Sequence, residues 1–314
     1  MLKYTRRELL EVASASALLN MTIGLKPALA QETAAPALRA FRAVTITSGD
    51  LKAAESAWTR YMGYHVVRRG KLDTATVGSW GAPGLKGKGY VTLAPESKEN
   101  FVIRFVEQAT PADYDPAPTF GWGATEITVQ NSVELYERLK DSPFTVRGPP
   151  GTVPTYPYLR PLGATGPSGE RLNLTWITEK RPDLAEAKSF VGRAFMATCM
   201  VPDLPAALEW YKTTFGSNPS PIRKLPNFEL AVVPLTDFTK VELDQHKPGG
   251  VERERVNNGL PPGLAIVTFE TNAFDKLRDK SLAAPIKSTL DPFRGHRTTV
   301  IKGTGGELME LVEV

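Results

Sequence analysis

Apolar and polar positions recur along the chain in four copies of one pattern. Each copy begins with an apolar strand, passes through a polar turn into a helix with one apolar face, and ends with two or three further strands. The copies begin near residues 40, 123, 195 and 263. Repetition of this kind predicts four βαβββ units of roughly 60–75 residues each, and therefore an α+β fold.

The third copy shows the pattern most clearly. It reads FMATCMVPDLPAALEWYKTTFG over residues 195–216, where Asp203 is placed to cap a helix and Gly216 to end it. The apolar positions of that helix recur at helical spacing, at Leu204, Ala207, Leu208 and Tyr211. The first copy repeats the arrangement with Asp50 as its cap.

One such unit cannot bury both faces of its own sheet. Two units side by side make a curved mixed sheet of about eight strands with the helices outside, so four units predict two domains. The segment 179–189 is charged and contains a proline, which is typical of a linker. We therefore expect an N-terminal domain at 38–178 and a C-terminal domain at 190–314, with units one and two paired and units three and four paired.

The first thirty residues have the pattern of an export signal. Arg6 and Arg7 precede a short apolar run over residues 12–25, and Ala28-Leu29-Ala30 ends it. Paired arginines before a weakly apolar run resemble a twin-arginine leader, which predicts a periplasmic protein without a membrane anchor after cleavage. The alternative is a soluble N-terminal helix. Cys199 is the single cysteine, so an intrachain disulfide is impossible.

Composition narrows the class of partner. The formal net charge of +4 is small and spread along the chain, which does not indicate the clustered basic face that nucleic acid requires. A small-molecule ligand is the expected partner, and a homodimer is compatible with the sequence.

From residue 40 to 314 the chain resembles the vicinal oxygen chelate superfamily, which includes glyoxalases, extradiol dioxygenases and bleomycin-resistance proteins. The resemblance rests on Val201-Pro202-Asp203-Leu204-Pro205 with the helix that follows, and on the closing run Gly305-Gly306-Glu307-Leu308-Met309-Glu310-Leu311. It implies two glyoxalase-like domains. It also implies metal ligands near the start of a unit's first strand and at a glutamate in its last strand.

Glu310 matches the glutamate position in the last strand of the fourth unit. The corresponding residues of the other units are Glu242, Asn173 and Arg104. Counting back from the helix caps and aligning the other copies gives Ala43, Ala124, Met196 and Leu264 in the first strands. None of these is a usual ligand, so a divalent metal (Fe, Mn, Zn or Ni) would depend on Glu310 and Glu242 alone, and two carboxylates rarely hold a transition metal.

His246 and His296 are the remaining candidates. Each follows or precedes a strand expected to flank the glutamates, so Glu310, His246 and His296 could form a catalytic group, with or without a metal. A structural salt bridge from Glu310 to Lys240 or Arg297, or a solvated edge position, is the alternative.

Two glycine-rich segments lie between the predicted elements. The run at 81–89 does not fit a phosphate-binding loop and is predicted to be a flexible hairpin loop. The segment 148–169 is rich in proline, glycine and tyrosine, and either covers the first cavity or packs on the second domain.

Three functions remain open. The first is an exported enzyme of lyase, isomerase or dioxygenase type, which transforms a small oxygenated or aromatic molecule in the C-terminal domain. The second is a metal-free protein that binds or sequesters a small molecule, as bleomycin-resistance proteins do. The third is a scaffold with filled cavities.

Overall fold

The computed structural model describes residues 36–111, 114–115 and 119–314, so the expected leader at 1–30 lies outside the described residues. Sixteen strands are present in this part of the chain: β1 Leu38–Ser48, β2 His65–Lys71, β3 Gly89–Ala94, β4 Val102–Glu107, β5 Gly121–Val129, β6 Thr145–Val146, β7 Leu159–Thr165, β8 Arg171–Ile177, β9 Val191–Met200, β10 Arg223–Lys224, β11 Phe228–Pro234, β12 Lys240–His246, β13 Leu264–Thr271, β14 Ile286–Lys287, β15 Arg297–Lys302 and β16 Leu308–Glu313. The α-helices are α1 Leu51–Met62, α2 Thr74–Ser79, α3 Ser132–Leu139, α4 Leu204–Phe215 and α5 Phe274–Leu277, with 3-10 turns at Pro83–Leu85 and Arg278–Lys280.

The two predicted helix caps are confirmed. The Asp50 carboxylate accepts a hydrogen bond from the backbone N–H of Ala53 at 2.9 Å, and Asp203 accepts one from Ala206 at the same distance. Gly216 ends α4 with a φ of +65°, a conformation in which glycine has no steric penalty. The sequence pattern therefore locates these helices correctly.

The strands form two eight-stranded mixed sheets. The first has the order β14-β15-β16-β13-β1-β4-β3-β2 and consists of units one and four; we call it the terminal sheet. The second has the order β10-β11-β12-β9-β5-β8-β7-β6 and consists of units two and three; we call it the central sheet. Each sheet is built from two βαβββ units, as the sequence predicts.

The predicted partners of the units are wrong. The first strands of units one and four pair antiparallel, Val44 with Val267, and those of units two and three pair in the same way, Thr125 with Ala197. The expected linker at 179–189 therefore joins β8 to β9 within the central sheet, and neither 38–178 nor 190–314 forms a sheet by itself. All four units have the same apolar periodicity, which specifies the buried face of a strand but not its neighbour.

One apolar core joins the two sheets. It contains residues from both sheets together with α1, α3 and α4. Tyr64 of unit one donates a hydrogen bond to the carbonyl of Gly192 at 2.7 Å, and Trp122 donates one to the carbonyl of Leu308 at 2.8 Å. Cleavage near Arg181 should therefore not release two compact halves, contrary to the sequence-based expectation.

Each sheet has one face in this core and another face turned away from it, which we call its site face. On the terminal sheet the site face is covered by the segment 72–88, which contains α2 and the turn Pro83–Leu85. Leu72, Val77, Trp80 and Leu85 of this segment are buried there. The expectation of a flexible hairpin loop at 81–89 is wrong, because its first half is part of this buried cover.

None of the helices within the described ranges has both the length and the apolar character that a membrane span requires.

Candidate functional site

The strand register defines four central positions on each site face. In the terminal sheet Arg104 pairs with Thr45, and Glu310 pairs with Thr268. In the central sheet Asn173 pairs with Glu126, and Glu242 pairs with Thr198. The first-strand positions expected from the sequence, Ala43, Ala124, Met196 and Leu264, are wrong. The register instead places Thr45, Glu126, Thr198 and Thr268 beside the central residues of the last strands.

In the terminal sheet Glu310 is buried and hydrogen-bonded. Trp80 donates its indole N–H to Oε1 at 3.0 Å, and Thr268 donates its hydroxyl to Oε2 at 2.7 Å. The Arg104 guanidinium lies 3.9 Å from Oε2 and also donates to Thr45 at 2.8 Å. Glu310 therefore lies on the site face, as alternation predicts. Its ion-pair partner is Arg104 rather than Lys240 or Arg297.

This group of residues has the features of a structural ion pair. Arg104 is 1% exposed and Glu310 is 5% exposed, and the apolar cover at 72–88 packs over both. Burial lowers the pKa of Arg104, although the charge of Glu310 opposes the effect. Both oxygens of Glu310 are engaged by Trp80, Thr268 and Arg104, so the site face of the terminal sheet does not fit a metal.

The central sheet has a different charge pattern at the equivalent positions. Glu126 and Glu242 are each 1% exposed, and no arginine or lysine is among the four residues. Oε1 of Glu126 accepts a hydrogen bond from the Thr175 hydroxyl at 2.6 Å, while its Oε2 is buried without a partner. Burial raises the pKa of Glu126 well above its usual range, and the charge of Glu242 raises it further.

Lys240 is a basic residue on this face. It is the register partner of Met196, which is itself the partner of Glu126. Its ammonium donates to the carbonyl of Asp183 at 3.2 Å. Burial lowers the pKa of Lys240 to about 8, against the opposing charges of Asp183 and Glu126. The face therefore holds a carboxyl that favours its neutral form and an amine that loses its proton unusually easily.

The two candidate histidines lie apart. His246 is in the central sheet, stacked on Phe228 with ring centroids 5.1 Å apart, and its Nε2 is 4.0 Å from Asp244. Burial lowers the pKa of His246 to about 4, and the charge of Arg171 contributes to this shift. His296 is exposed beside β15 of the terminal sheet, where its Nδ1 is 3.2 Å from the carbonyl of Glu313.

The expected composite site is therefore not formed. Glu310 and His296 belong to the terminal sheet, whereas Glu242 and His246 belong to the central sheet. Within the described residues no three His, Cys, Asp or Glu side chains are grouped so that they could hold a metal ion. The oxygen donors of the central sheet come from Glu126, Asn173, Thr198 and Glu242, a set without the imidazole ligands that Fe, Zn and Ni sites generally use. This donor set does not fit the metal implied by the family resemblance.

The first part of the segment 148–169 covers part of the site face of the central sheet, whereas Leu159–Thr165 forms strand β7 of the sheet itself. Val153 packs with Leu159, Leu184 and Met196 in a small apolar cluster, and Tyr156 and Tyr158 border it. The Tyr156 hydroxyl accepts a hydrogen bond from Arg223 at 3.0 Å. Of the two positions expected for this segment, the contact with Met196 corresponds to packing on residues 190–314.

Two cavities lie near these faces. A cavity of about 860 Å³ at the junction of the sheets is lined by Arg253, Arg255 and the hairpin at 303–306. Arg255 donates to the carbonyl of Gly81 at 2.7 Å and Arg253 to the carbonyl of Leu264 at 3.1 Å, while Nη2 of Arg253 is buried without a hydrogen-bond partner. A second cavity of about 740 Å³ opens at the Arg171 end of the central sheet.

Sequence reasoning missed Trp80 and Glu126 as site-face residues. Trp80 lies in a segment without a regular apolar period, so no pattern pointed to it. Glu126 carried a usable signal: it is a carboxylate within the apolar strand ATEITV, the same signal that drew attention to Glu310.

Comparison with known proteins supports the fold. No family model and no curated protein matches the sequence. Among solved structures, glyoxalase I from Zea mays matches with a TM-score of 0.61 and 18% identity, over 87% of this chain and 92% of that one. A dioxygenase candidate from Bacillus subtilis matches with a TM-score of 0.61 and 11% identity, over 89% of this chain and 86% of that one. At these identities the likeness concerns the fold alone.

Proposed function

We propose that this chain, which has the vicinal oxygen chelate fold, binds a small oxygenated molecule on the site face of the central sheet and catalyses proton transfer there. The reaction class is an isomerisation or a related proton abstraction next to a carbonyl group. The proposal replaces the expected location in a C-terminal domain with the face formed by units two and three. No step in it passes through a metal, because the donor set does not fit one.

The observation that carries the proposal is the Glu126 carboxyl. It is buried, one of its oxygens has no hydrogen-bond partner, and burial raises its pKa well above the usual range. A carboxyl whose pKa is raised in this way keeps its proton to higher pH than an ordinary glutamate, and in its protonated form it can donate a hydrogen bond or a proton to a carbonyl oxygen. Burying such a group without a partner is costly, which argues that a ligand supplies the missing contact.

Lys240 supplies the complementary base. Because the pKa of Lys240 is about 8, its side chain is a neutral amine in about a tenth of the protein molecules at pH 7. The amine takes a proton from the carbon next to the ligand carbonyl while Glu126 gives its proton to the carbonyl oxygen, which forms an enol. Return of both protons to their original atoms exchanges the carbon-bound hydrogen. With a hydroxyketone, the ammonium can instead protonate the former carbonyl carbon while Glu126 takes the proton of the second enediol hydroxyl, which gives the isomer. The sequence of steps needs no oxidant or reductant. Two groups whose pKa values are shifted towards each other are typical of acid–base catalysis.

A metal-free binding protein is the second candidate. The apolar cluster around Val153 and Met196 covers one end of the same face, as expected for a protein that encloses a ligand without transforming it. The two functions differ in whether a bound carbonyl compound exchanges its carbon-bound hydrogen.

Deuterium exchange tests the proposal. A panel of 2-oxo acids and hydroxyketones in D₂O, followed by proton NMR, should show catalysed loss of the signal of the hydrogen next to the carbonyl. Glu126→Gln and Lys240→Met should each slow this exchange roughly 100-fold or more, as is usual for removal of a general acid or base. Glu179→Gln, at an exposed glutamate, is the control and should leave the rate unchanged.

If compounds bind but none exchanges faster than in buffer, the binding function is correct and the catalytic one is wrong. Exchange that survives both substitutions would also reject the roles assigned to Glu126 and Lys240.

We also propose that residues 1–30 direct export to the periplasm, on the basis of the sequence pattern alone. Replacing Arg6 and Arg7 with lysine should leave the full-length chain in the cytoplasm, whereas wild-type cells should contain the cleaved protein in the periplasm. Immunoblots of the two fractions measure this. A processed periplasmic product from the double variant would contradict the proposal.

A further inference from the structure

The cavity of about 740 Å³ lies at one edge of the site face of the central sheet. Arg147, Thr165 and Arg171 line its central-sheet side, and Asp50 and Asp115 are among the residues of unit one that line the other. Arg147 precedes the hairpin of β7 and β8, Thr165 is the last residue of β7, and its register partner Arg171 is the first residue of β8. The cavity therefore adjoins the end of the face that carries Glu126.

Arg147 is held over a glycine. A β-carbon built on Gly163 would lie 2.9 Å from Nε and 3.1 Å from Cζ of Arg147. Any side chain at this position would displace the guanidinium, since real β-carbons do not approach other atoms this closely. Gly163 is also the register partner of Asn173, which places the arginine above the site face.

Arg147 contributes a positive charge to the lining of the cavity. Burial and the charge of Arg171 lower its pKa to about 10, and no carboxylate in the described part of the chain opposes these effects. The Asp50 carboxylate is engaged as the cap of α1. Arg147 remains protonated at neutral pH, so the cavity has a half-buried cation that favours an anion.

We propose that this cavity binds the carboxylate of the ligand and that Arg147 is the residue that recognises it. The planar guanidinium can donate two parallel hydrogen bonds to a carboxylate. The inference rests on the proposed function for the rest of the ligand and makes it more specific: the molecule is a small organic acid whose carboxylate lies at Arg147 and whose carbonyl lies towards Glu126.

Calorimetric titration tests this assignment with succinate as the anionic probe and its neutral diamide, succinamide, as the matched compound. Wild type should bind succinate and not succinamide, and Arg147→Gln should weaken succinate binding roughly tenfold or more. Gly163→Ala should weaken it as well, because the new methyl group displaces the guanidinium. Arg160→Gln, at an exposed arginine that lies over Trp176, is the control and should bind as wild type does.

Equal succinate binding by wild type and Arg147→Gln would overturn the proposal, as would the absence of succinate binding by wild type. Binding of inorganic phosphate without binding of succinate would reject the carboxylate assignment. Glu126→Gln separates this inference from the proposed function: it should retain succinate binding even though it loses hydrogen exchange.

Discussion

The terminal and central sheets carry equivalent positions with different charge patterns. In the terminal sheet Glu310 faces Arg104 at 3.9 Å and accepts hydrogen bonds from its neighbours. In the central sheet the equivalent strands bring Glu126 and Glu242 to one face, and an oxygen of Glu126 lacks a partner. The apolar cover at 72–88 seals the first face, while a cavity adjoins the second.

The difference shows how one repeated fold can serve two purposes. A buried carboxylate that is paired with an arginine and hydrogen-bonded belongs to the protein's own structure. A buried carboxyl with an unsatisfied oxygen costs free energy in the empty protein, and such costs are found where a ligand completes the site. We therefore assign stability to the terminal sheet and ligand chemistry to the central sheet.

The largest expected effect comes from breaking the ion pair of the terminal sheet. Arg104→Met leaves Glu310 buried without its cation and should lower the free energy of unfolding by about 3–5 kcal/mol. Urea denaturation measures the loss. The double variant Arg104→Met/Glu310→Met removes both charges and should recover much of it. A double variant that is no more stable than the single one would contradict the assigned ion pair.

Two further glutamates, one in each sheet, occupy equivalent positions and allow a second comparison. Glu170 precedes β8 and accepts hydrogen bonds from Trp58 at 2.8 Å and from the N–H of Ser168 at 2.9 Å. Glu307 precedes β16 and accepts one from the N–H of Gly305 at 2.8 Å. Burial raises the pKa of each to about 7. Unlike the central positions, these two should behave alike.

The sign of their pH dependence follows from the raised pKa. The folded protein retains a proton that the unfolded chain loses near pH 4.5, so the contribution to stability is greatest at acidic pH and falls as pH rises to about 7. Between pH 5 and pH 8, the free energy of unfolding of Glu170→Gln and that of Glu307→Gln should each rise by roughly 2.5 kcal/mol relative to wild type. Urea denaturation across this range is the measurement. A difference that does not change with pH would contradict the raised pKa values.

The smallest expected effect concerns the cover of the central sheet. Tyr156→Phe removes the hydroxyl that accepts a hydrogen bond from Arg223 and should cost about 1 kcal/mol. Amide hydrogen exchange should increase in residues 153–158 and remain unchanged in the cover at 72–88. Increased exchange in both covers would show that the substitution loosens the whole protein rather than one face.

The sequence predicted the elements of the fold better than their arrangement. Helix caps such as Asp50 and Asp203 and the repeated strand pattern are local signals, and the structure follows them. The pairing of unit one with unit four is not a local property, because four units with equal periodicity can combine in more than one way. The expected domains at 38–178 and 190–314 failed for this reason.

The candidate site was predicted only in part. Alternation along β16 correctly placed Glu310 on a site face, yet nothing in its strand indicates that Arg104 and Trp80 neutralise and cover it. Glu126 could have been found by the rule that selected Glu310. Arg147 could not, since its position depends on a close approach to Gly163 in the folded chain.

The central claim is tested most directly by one pair of matched substitutions, Glu310→Gln and Glu126→Gln, compared by urea denaturation at pH 7.5. Glu310→Gln should lower the free energy of unfolding by roughly 1–3 kcal/mol, because Arg104 loses a charged partner. Glu126→Gln should hold or raise it, because a buried carboxyl of raised pKa is replaced by a neutral amide of the same shape. Equal losses in both variants, or a loss confined to Glu126→Gln, would contradict the division between a structural sheet and a functional one.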